Sequence, residues 1–201
     1  MKNRCQYLLV LFISLTTALL ASCSTDPRAL HGSPYDPPRP APELSLQNVS
    51  GDEFELSRYD GDIVLVYFGY TYCPDICPTT LADVKLIFEE LGEAGDDLHL
   101  IMVTVDPERD TEEVLRTYLD RFHPNFIGLR DEGETLEDVM AAYAVFAQKE
   151  PSEDPARYLV SHTARLFLID QSGMLRTNYP FGTPREEILS DIELLLAEET
   201  R

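Results

Sequence analysis

The stretch YFGYTYCPDICPTTLADVKLIF, Tyr67 to Phe88, decides how this chain is read. It opens at the end of Asp62–Tyr70, a continuous apolar and β-branched run of the kind a strand needs when a sheet is covered on both faces. It closes in a helix, because Leu81, Val84, Ile87, Phe88 and Leu91 recur at helical spacing up to Gly92. Between the two stands Cys73-Pro-Asp-Ile-Cys77-Pro. Pro78 is expected at the first helical position, where its missing N–H is not needed. Cys77 then falls near the N-cap, where free backbone donors and the helix dipole favour a thiolate. Cysteines four apart on one helix-like turn have Cβ atoms roughly 5–6 Å apart. That separation allows a disulfide after small adjustment, or two sulfurs on one metal ion. A redox-only thioredoxin relative normally shows Cys-x-x-Cys, whereas three residues intervene here. A disulfide switch, a pair of metal ligands and buried structural thiols all remain open at this point.

Outward from this stretch, strand and helix patterns alternate. Ser50-Gly51-Asp52 separates two short runs and predicts a hairpin. Leu98–Asp106 is a second buried strand, and Thr111 caps a helix running to Phe122. Asn125–Leu129 is a short strand and Thr135–Ala147 a helix. Gln148–His162 is polar, carries two prolines and reads as a loop. Thr163–Asp170 and Met174–Pro180 are strands joined at Gln171-Ser172-Gly173. Thr183-Pro184 opens a last helix. This order predicts an α/β, thioredoxin-like fold: a central mixed sheet with helices on both faces and an N-terminal β-hairpin.

The domain so outlined spans 43–201. Residues 1–22 read as a signal peptide, with Lys2 and Arg4 before an apolar run from Tyr7 to Leu20. Leu20-Ala21-Ser22-Cys23 resembles a bacterial lipoprotein box, which makes Cys23 the lipidated first residue of the mature chain. An uncleaved membrane anchor is the competing reading, but the run falls short of the ~20 residues a spanning helix needs. Residues 23–42 carry six prolines between Pro27 and Pro42 and read as an extended linker. The expected address is the cell envelope, lipid-anchored, with the domain facing the periplasm or extracytoplasmic side.

The chain's formal charge is −20. Without residues 1–22 it becomes −22, from 14 basic and 36 acidic residues. Nucleic acid is excluded as a partner on those grounds. The four cysteines are Cys5, Cys23, Cys73 and Cys77. If the first leaves with the signal and the second carries lipid, one pair remains in an oxidising compartment. A structural disulfide explains that pair poorly, because a loop of about five residues gains little from closure.

A third group is sought among the histidines. His31 lies in the linker, His99 at the far end of the second strand, and His123 after a helix, where pairing with the helix C-terminus is expected. His162 immediately precedes the strand that in a thioredoxin plan is entered opposite the cysteines. Two thiolates and one imidazole are a soft, three-ligand set. Structural zinc usually takes four protein ligands, whereas this set favours Cu(I) and keeps Cu(II) accessible. Asp75, between the cysteines, is a turn-former, an outer group behind the ligands, or a docking charge.

The segments YFGYTYCPDICPTTL, VTVDPERDT and SHTARLFLIDQSGMLRTNY closely resemble the SCO/SenC family of copper-binding assembly proteins. The resemblance implies copper on Cys73, Cys77 and His162. It also implies delivery to the binuclear copper site of cytochrome c oxidase, with that enzyme's copper-site subunit or another cuproprotein as recipient and a periplasmic copper donor upstream. Some members instead act as thiol-disulfide oxidoreductases that reduce the recipient's cysteines. Asp106-Pro107 also matches, with Asp106 serving turn geometry or docking. Ser161 departs from the family, many of whose members have an acid before the histidine. A thiol peroxidase, the third alternative, lacks its Thr/Arg constellation here.

Overall fold

The two longest apolar runs become adjacent central strands. β3 (Ile63–Gly69) is buried at every position, and β4 (Leu98–Thr104) at every position except His99. They pair in parallel from Ile63–Leu98 to Gly69–Thr104. The computed structural model describes residues 30–154 and 156–198. The other elements are β1 (Ser33–Pro40), β2 (Gln47–Asn48), α1 (Ile76–Leu91), α2 (Glu112–Leu119), β5 (Ile127–Arg130), α3 (Glu134–Ala142), β6 (Ala147–Lys149), β7 (Val160–His162), β8 (Arg165–Ile169), β9 (Met174–Pro180) and α4 (Arg185–Glu198). Seven strands form one sheet in the order β1-β9-β8-β3-β4-β5-β2, and β6 and β7 pair apart from it. β3, β4 and β5 are parallel, while β8, β9, β1 and β2 run antiparallel to their neighbours. This is the expected α/β, thioredoxin-like mixed sheet.

One row of register partners crosses the sheet: Gly128, Met102, Tyr67, Leu166 and Tyr179. A Cβ on Gly128 would meet Leu115 and Leu119 of α2 at 3.0 Å each. Tyr179 donates to Asp191 of α4 at 2.7 Å. Gly69, on the same face, touches the Cys77 sulfur of α1. Thus α1, α2 and α4 cover this face, as two successive right-handed crossovers require. The neighbouring row faces the other way. There Phe68 packs its ring 5.3 Å from that of Tyr143, the residue ending α3.

Several boundaries differ from the sequence reading. Residues 23–42 are not linker throughout, since Ser33–Pro40 pairs with β9 as an edge strand. Its four prolines are tolerated because an edge strand uses only one row of N–H groups, and the register breaks between Pro34 and Arg39. His31 is clamped as well: its N–H and Nδ1 reach Asp191 at 2.8 and 2.7 Å. The folded domain therefore takes in His31 and Ser33–Pro40, upstream of the expected start at Glu43. The expected signal peptide, residues 1–22, and the expected lipidation site Cys23 lie outside the described residues. The N-terminal hairpin shrinks to a turn with a single Gln47–Glu53 bridge, and Leu56–Tyr59 winds into a 3-10 turn. α3 stops at Ala142, soon followed by Ala144 at φ 55°, a conformation that cannot continue a helix. Gln148–His162 is no plain loop, because β6 and β7 form its stem. Among the described residues, no helix is long and apolar enough to cross a membrane.

Candidate metal centre

After Gly69 the chain crosses the end of the sheet toward Cys73. Asp110, fully buried, anchors that crossing: its carboxylate accepts Thr71 N–H at 3.0 Å, Thr71 Oγ at 2.5 Å and Thr104 Oγ at 2.6 Å. Burial pushes this carboxyl's pKa up, against the pull of the threonine donors.

α1 then begins two residues earlier than expected. Asp75 is the N-cap, Ile76 the first helical residue and Pro78 the third, with the first backbone bond from Thr79 N to Asp75 O at 3.1 Å. No N–H in that turn has an intrahelical partner, so proline fits the third position as well as the first. The consequence falls on the sulfurs. The Cys77 N–H donates to Cys73 Sγ at 3.3 Å, so Cys73, not Cys77, takes the helix N-terminus.

Cys77 Sγ, Cys73 Sγ and a ring nitrogen of His162 all lie within 4.8 Å of one another. Cys77 Sγ is 3.6 Å from His162 Nε2. Cys77 is fully buried, Cys73 and His162 half-buried, and both thiols are free. A Cβ on Gly69 would sit 3.1 Å from Cys77 Sγ and 2.7 Å from the Tyr67 ring, so the bare backbone at Gly69 makes room for the sulfur.

The two thiols are electrostatically unequal. A hydrogen bond from the Cys77 thiol pulls the Cys73 pKa down to about 3 against its burial, assisted by His162 and the N–H groups of Cys77 and Asp75. The same hydrogen bond, with burial, drives Cys77 upward. The pair thus holds its proton on the buried Cys77 sulfur and its negative charge on the half-buried Cys73 sulfur. Tyr67 lies beneath them with its hydroxyl buried and without a hydrogen bond of ordinary geometry. Burial and the adjacent Cys77 raise its pKa far above the usual range, which keeps it a neutral wall.

His162 is placed by the backbone of β7, paired with Ala147 of β6, and by edge contacts with Tyr67 and Tyr70 at 6.4 and 5.8 Å. Its Nδ1 is buried with no partner. Ser161, where an acid was missed, donates outward to Glu150 instead. A cleft of about 370 Å³ opens over Cys73, lined by Pro74, Asp75, Glu150, Leu159 and His162 among others. Asp75 is at its exposed rim. Asp106 is elsewhere: it is fully buried and bonded to Arg109 and Tyr158 at 2.5 Å each, so it cannot be a docking charge.

The other histidines stay apart from the pocket. His31 pairs with Asp191 and His99 with Asp62. His123 packs on Phe88 and Phe126 rather than pairing with the helix C-terminus, and burial lowers its pKa. Sequence reading missed Asp110 and Arg109. Both stand in VTVDPERDT, and the density of charge at the end of a buried strand was the available signal.

The geometry defines a class: a thioredoxin-like domain whose thiol pair and imidazole converge at a helix N-terminus, competent for soft metal or thiol redox chemistry. Comparison with known proteins narrows it. The SCO1/SenC family model matches residues 34–197. An SCO2-like protein of Rickettsia prowazekii is 35% identical over 147 residues, 73% of this chain and 72% of its own. The structure of Bradyrhizobium japonicum ScoI with copper bound superimposes at TM-score 0.70 with 31% identity, covering 77% of this chain and 98% of that one. The solution structures of apo Sco1 from Thermus thermophilus give 0.73 and 34%, covering 84% and 97%. This chain belongs to the SCO1/SenC family.

Proposed function

We propose that the protein is a copper metallochaperone that binds Cu(I) through Cys73 Sγ, Cys77 Sγ and His162 Nε2. The observation that carries this reading is the convergence of those ligand atoms within 4.8 Å. Two soft sulfurs and an imidazole, with no hard carboxylate among them, match the preference of Cu(I) at low coordination, and the imidazole keeps Cu(II) accessible. Copper-bound ScoI supports it by likeness.

Delivery would begin at Cys73. It is the ligand an incoming group can reach, since Cys77 is sealed. The recipient would dock on the apolar surround of the pocket, where Tyr72 and Leu159 are about half exposed. We assign it to the copper-site subunit of cytochrome c oxidase. BsSco, described as a member of the Sco family of cytochrome c oxidase assembly proteins, gives the association, although at 21% identity it shares only the fold. The signal-like residues 1–22 support lipidation at Cys23 and an extracytoplasmic domain. A Cu(I) titration of the reduced protein and of His162→Ala tests the site. Loss of high-affinity binding in the variant supports the reading, and equal affinity removes the histidine from it.

The unequal thiols favour a second reading, disulfide reduction in the recipient. The Cys73 thiolate attacks one recipient sulfur, breaking its S–S bond and releasing the other sulfur as a thiolate. Cys77 then passes its proton to that released thiolate and attacks Cys73 Sγ, which frees the second recipient sulfur as a thiolate. Two protein thiols become a disulfide while one disulfide becomes two thiols. Cells with His162→Ala that still assemble oxidase in low copper would favour this chemistry over delivery.

A further inference from the structure

The small β6–β7 sheet that carries His162 is outside the main sheet, and the imidazole has no hydrogen-bond partner on Nδ1. The ring's distance to the sulfurs therefore depends on how that hairpin is held against the loop bearing the cysteines. The Arg109 side chain spans the gap, beside an exposed ion pair between Lys149 of β6 and Glu108 at 2.5 Å. Arg109 Nε donates to Asp106 Oδ2 at 2.5 Å, below the end of β4. Its Nη1 donates to the Tyr158 carbonyl at 2.9 Å, two residues before β7 begins. Its Cζ lies 3.6 Å from the Tyr158 ring centroid and 4.6 Å from that of Tyr72, next to Cys73. The Tyr158 hydroxyl returns to Asp106 Oδ1 at 2.5 Å, closing the cluster. The Val160 N–H also donates to Tyr70 Oη at 3.2 Å, tying hairpin to loop.

We propose that Arg109 is a positioning residue for copper, clamping the cysteine loop to the histidine hairpin so that His162 meets both sulfurs. This rests on the copper reading above. A planar guanidinium is required, because it stacks between two rings while its edge donates in two directions; an ammonium does neither as well. Asp106 is needed to aim it and stays buried as its counter-charge.

The test measures Cu(I) affinity by competition in wild type, Arg109→Gln, Arg109→Lys, His162→Ala and the double variant Arg109→Gln/His162→Ala. Arg109→Gln is expected to weaken binding ~10- to 100-fold, the usual effect of losing a group that orients a metal ligand. Arg109→Lys recovers part of it. In the His162→Ala background the Arg109→Gln change has no further effect, because the ligand it positions is already gone. An equal penalty in both backgrounds would reduce Arg109 to a structural residue and overturn the proposal, as would unchanged affinity in Arg109→Gln. Should Arg109→Gln not fold, Tyr158→Leu removes the stacked ring and the hydroxyl and is read the same way. If wild type binds no copper, the copper reading fails on its own. The clamp is then judged in the metal-free reduced protein, by the nuclear Overhauser contact between the His162 ring and Cys77 Hβ. Its loss in Arg109→Gln sustains the clamp, and its persistence refutes it.

Discussion

Replacing Gly69 by alanine tests whether the strand end and the pocket are one packed unit. Gly69 has no left-handed backbone requirement, so any penalty arises from the added methyl alone. That methyl would meet Tyr67 Cε1 at 2.7 Å, Cys77 Sγ at 3.1 Å and Met102 Cε at 3.2 Å, all in fully buried residues. Forced overpacking costs about 1–3 kcal/mol. Stiffening the unfolded chain returns roughly 0.4–1 kcal/mol. The net destabilisation is about 1–2 kcal/mol, or ~2–8 °C in Tm for a domain of this size. Gly128→Ala is the matched control. Its methyl would meet Leu115 and Leu119 at 3.0 Å and Val49 at 3.1 Å, none of which touches the pocket. Thermal denaturation should rank the two variants alike. Copper titration should separate them: Gly69→Ala displaces Cys77 Sγ and loses about tenfold in affinity, while Gly128→Ala binds as wild type. Equal copper affinity in both variants, or a Gly69→Ala protein as stable as wild type, would refute the reasoning.

Three further outcomes follow from the electrostatics. Iodoacetamide at pH 5 should modify Cys73 and spare Cys77, because the Cys73 thiolate persists down to about pH 3 while the Cys77 proton is held by its partner and by burial; mass spectrometry showing equal labelling would contradict this. His31 has its pKa raised chiefly by its hydrogen bond to Asp191, so the pair's stabilisation is complete below about pH 6.5 and fades as pH rises through the higher folded-state value. The stability difference between wild type and His31→Ala, followed by thermal denaturation, should be present at pH 6 and shrink by pH 9, amounting to no more than about 1 kcal/mol because the ring is 44% exposed. Asp110→Ala strands the Thr71 and Thr104 donors and should destabilise the protein by about 2–3 kcal/mol in urea titration.

What could be read in the sequence follows what each residue had to satisfy. β3 and β4 were legible because burial on both faces leaves only apolar residues, and the cysteine pair because it stands where such a strand ends. β1 was not, since Pro34, Pro37, Pro38 and Pro40 mark a chain that avoids hydrogen bonds, and only an edge position makes them compatible with a ladder. β6 and β7 were hidden for a different reason. Exposed Gln148, Lys149 and Ser161 carry no alternation, and the hairpin is held by the side chains of residues distant in sequence. His162 was legible as a candidate, but what aims it was not: it is aimed through contacts that run from Asp106 through Arg109 to Tyr158. The thiol asymmetry was read in reverse for a related reason. Composition places a proline and two cysteines at a helix start, but the identity of the capping sulfur turns on a shift of two residues. Once the helix begins at Ile76, the half-buried sulfur of Cys73 receives the N–H donors and the fully buried one keeps the proton. That division suits the proposed copper carrier, because a ligand that must let go should be the one that solvent and partner can reach.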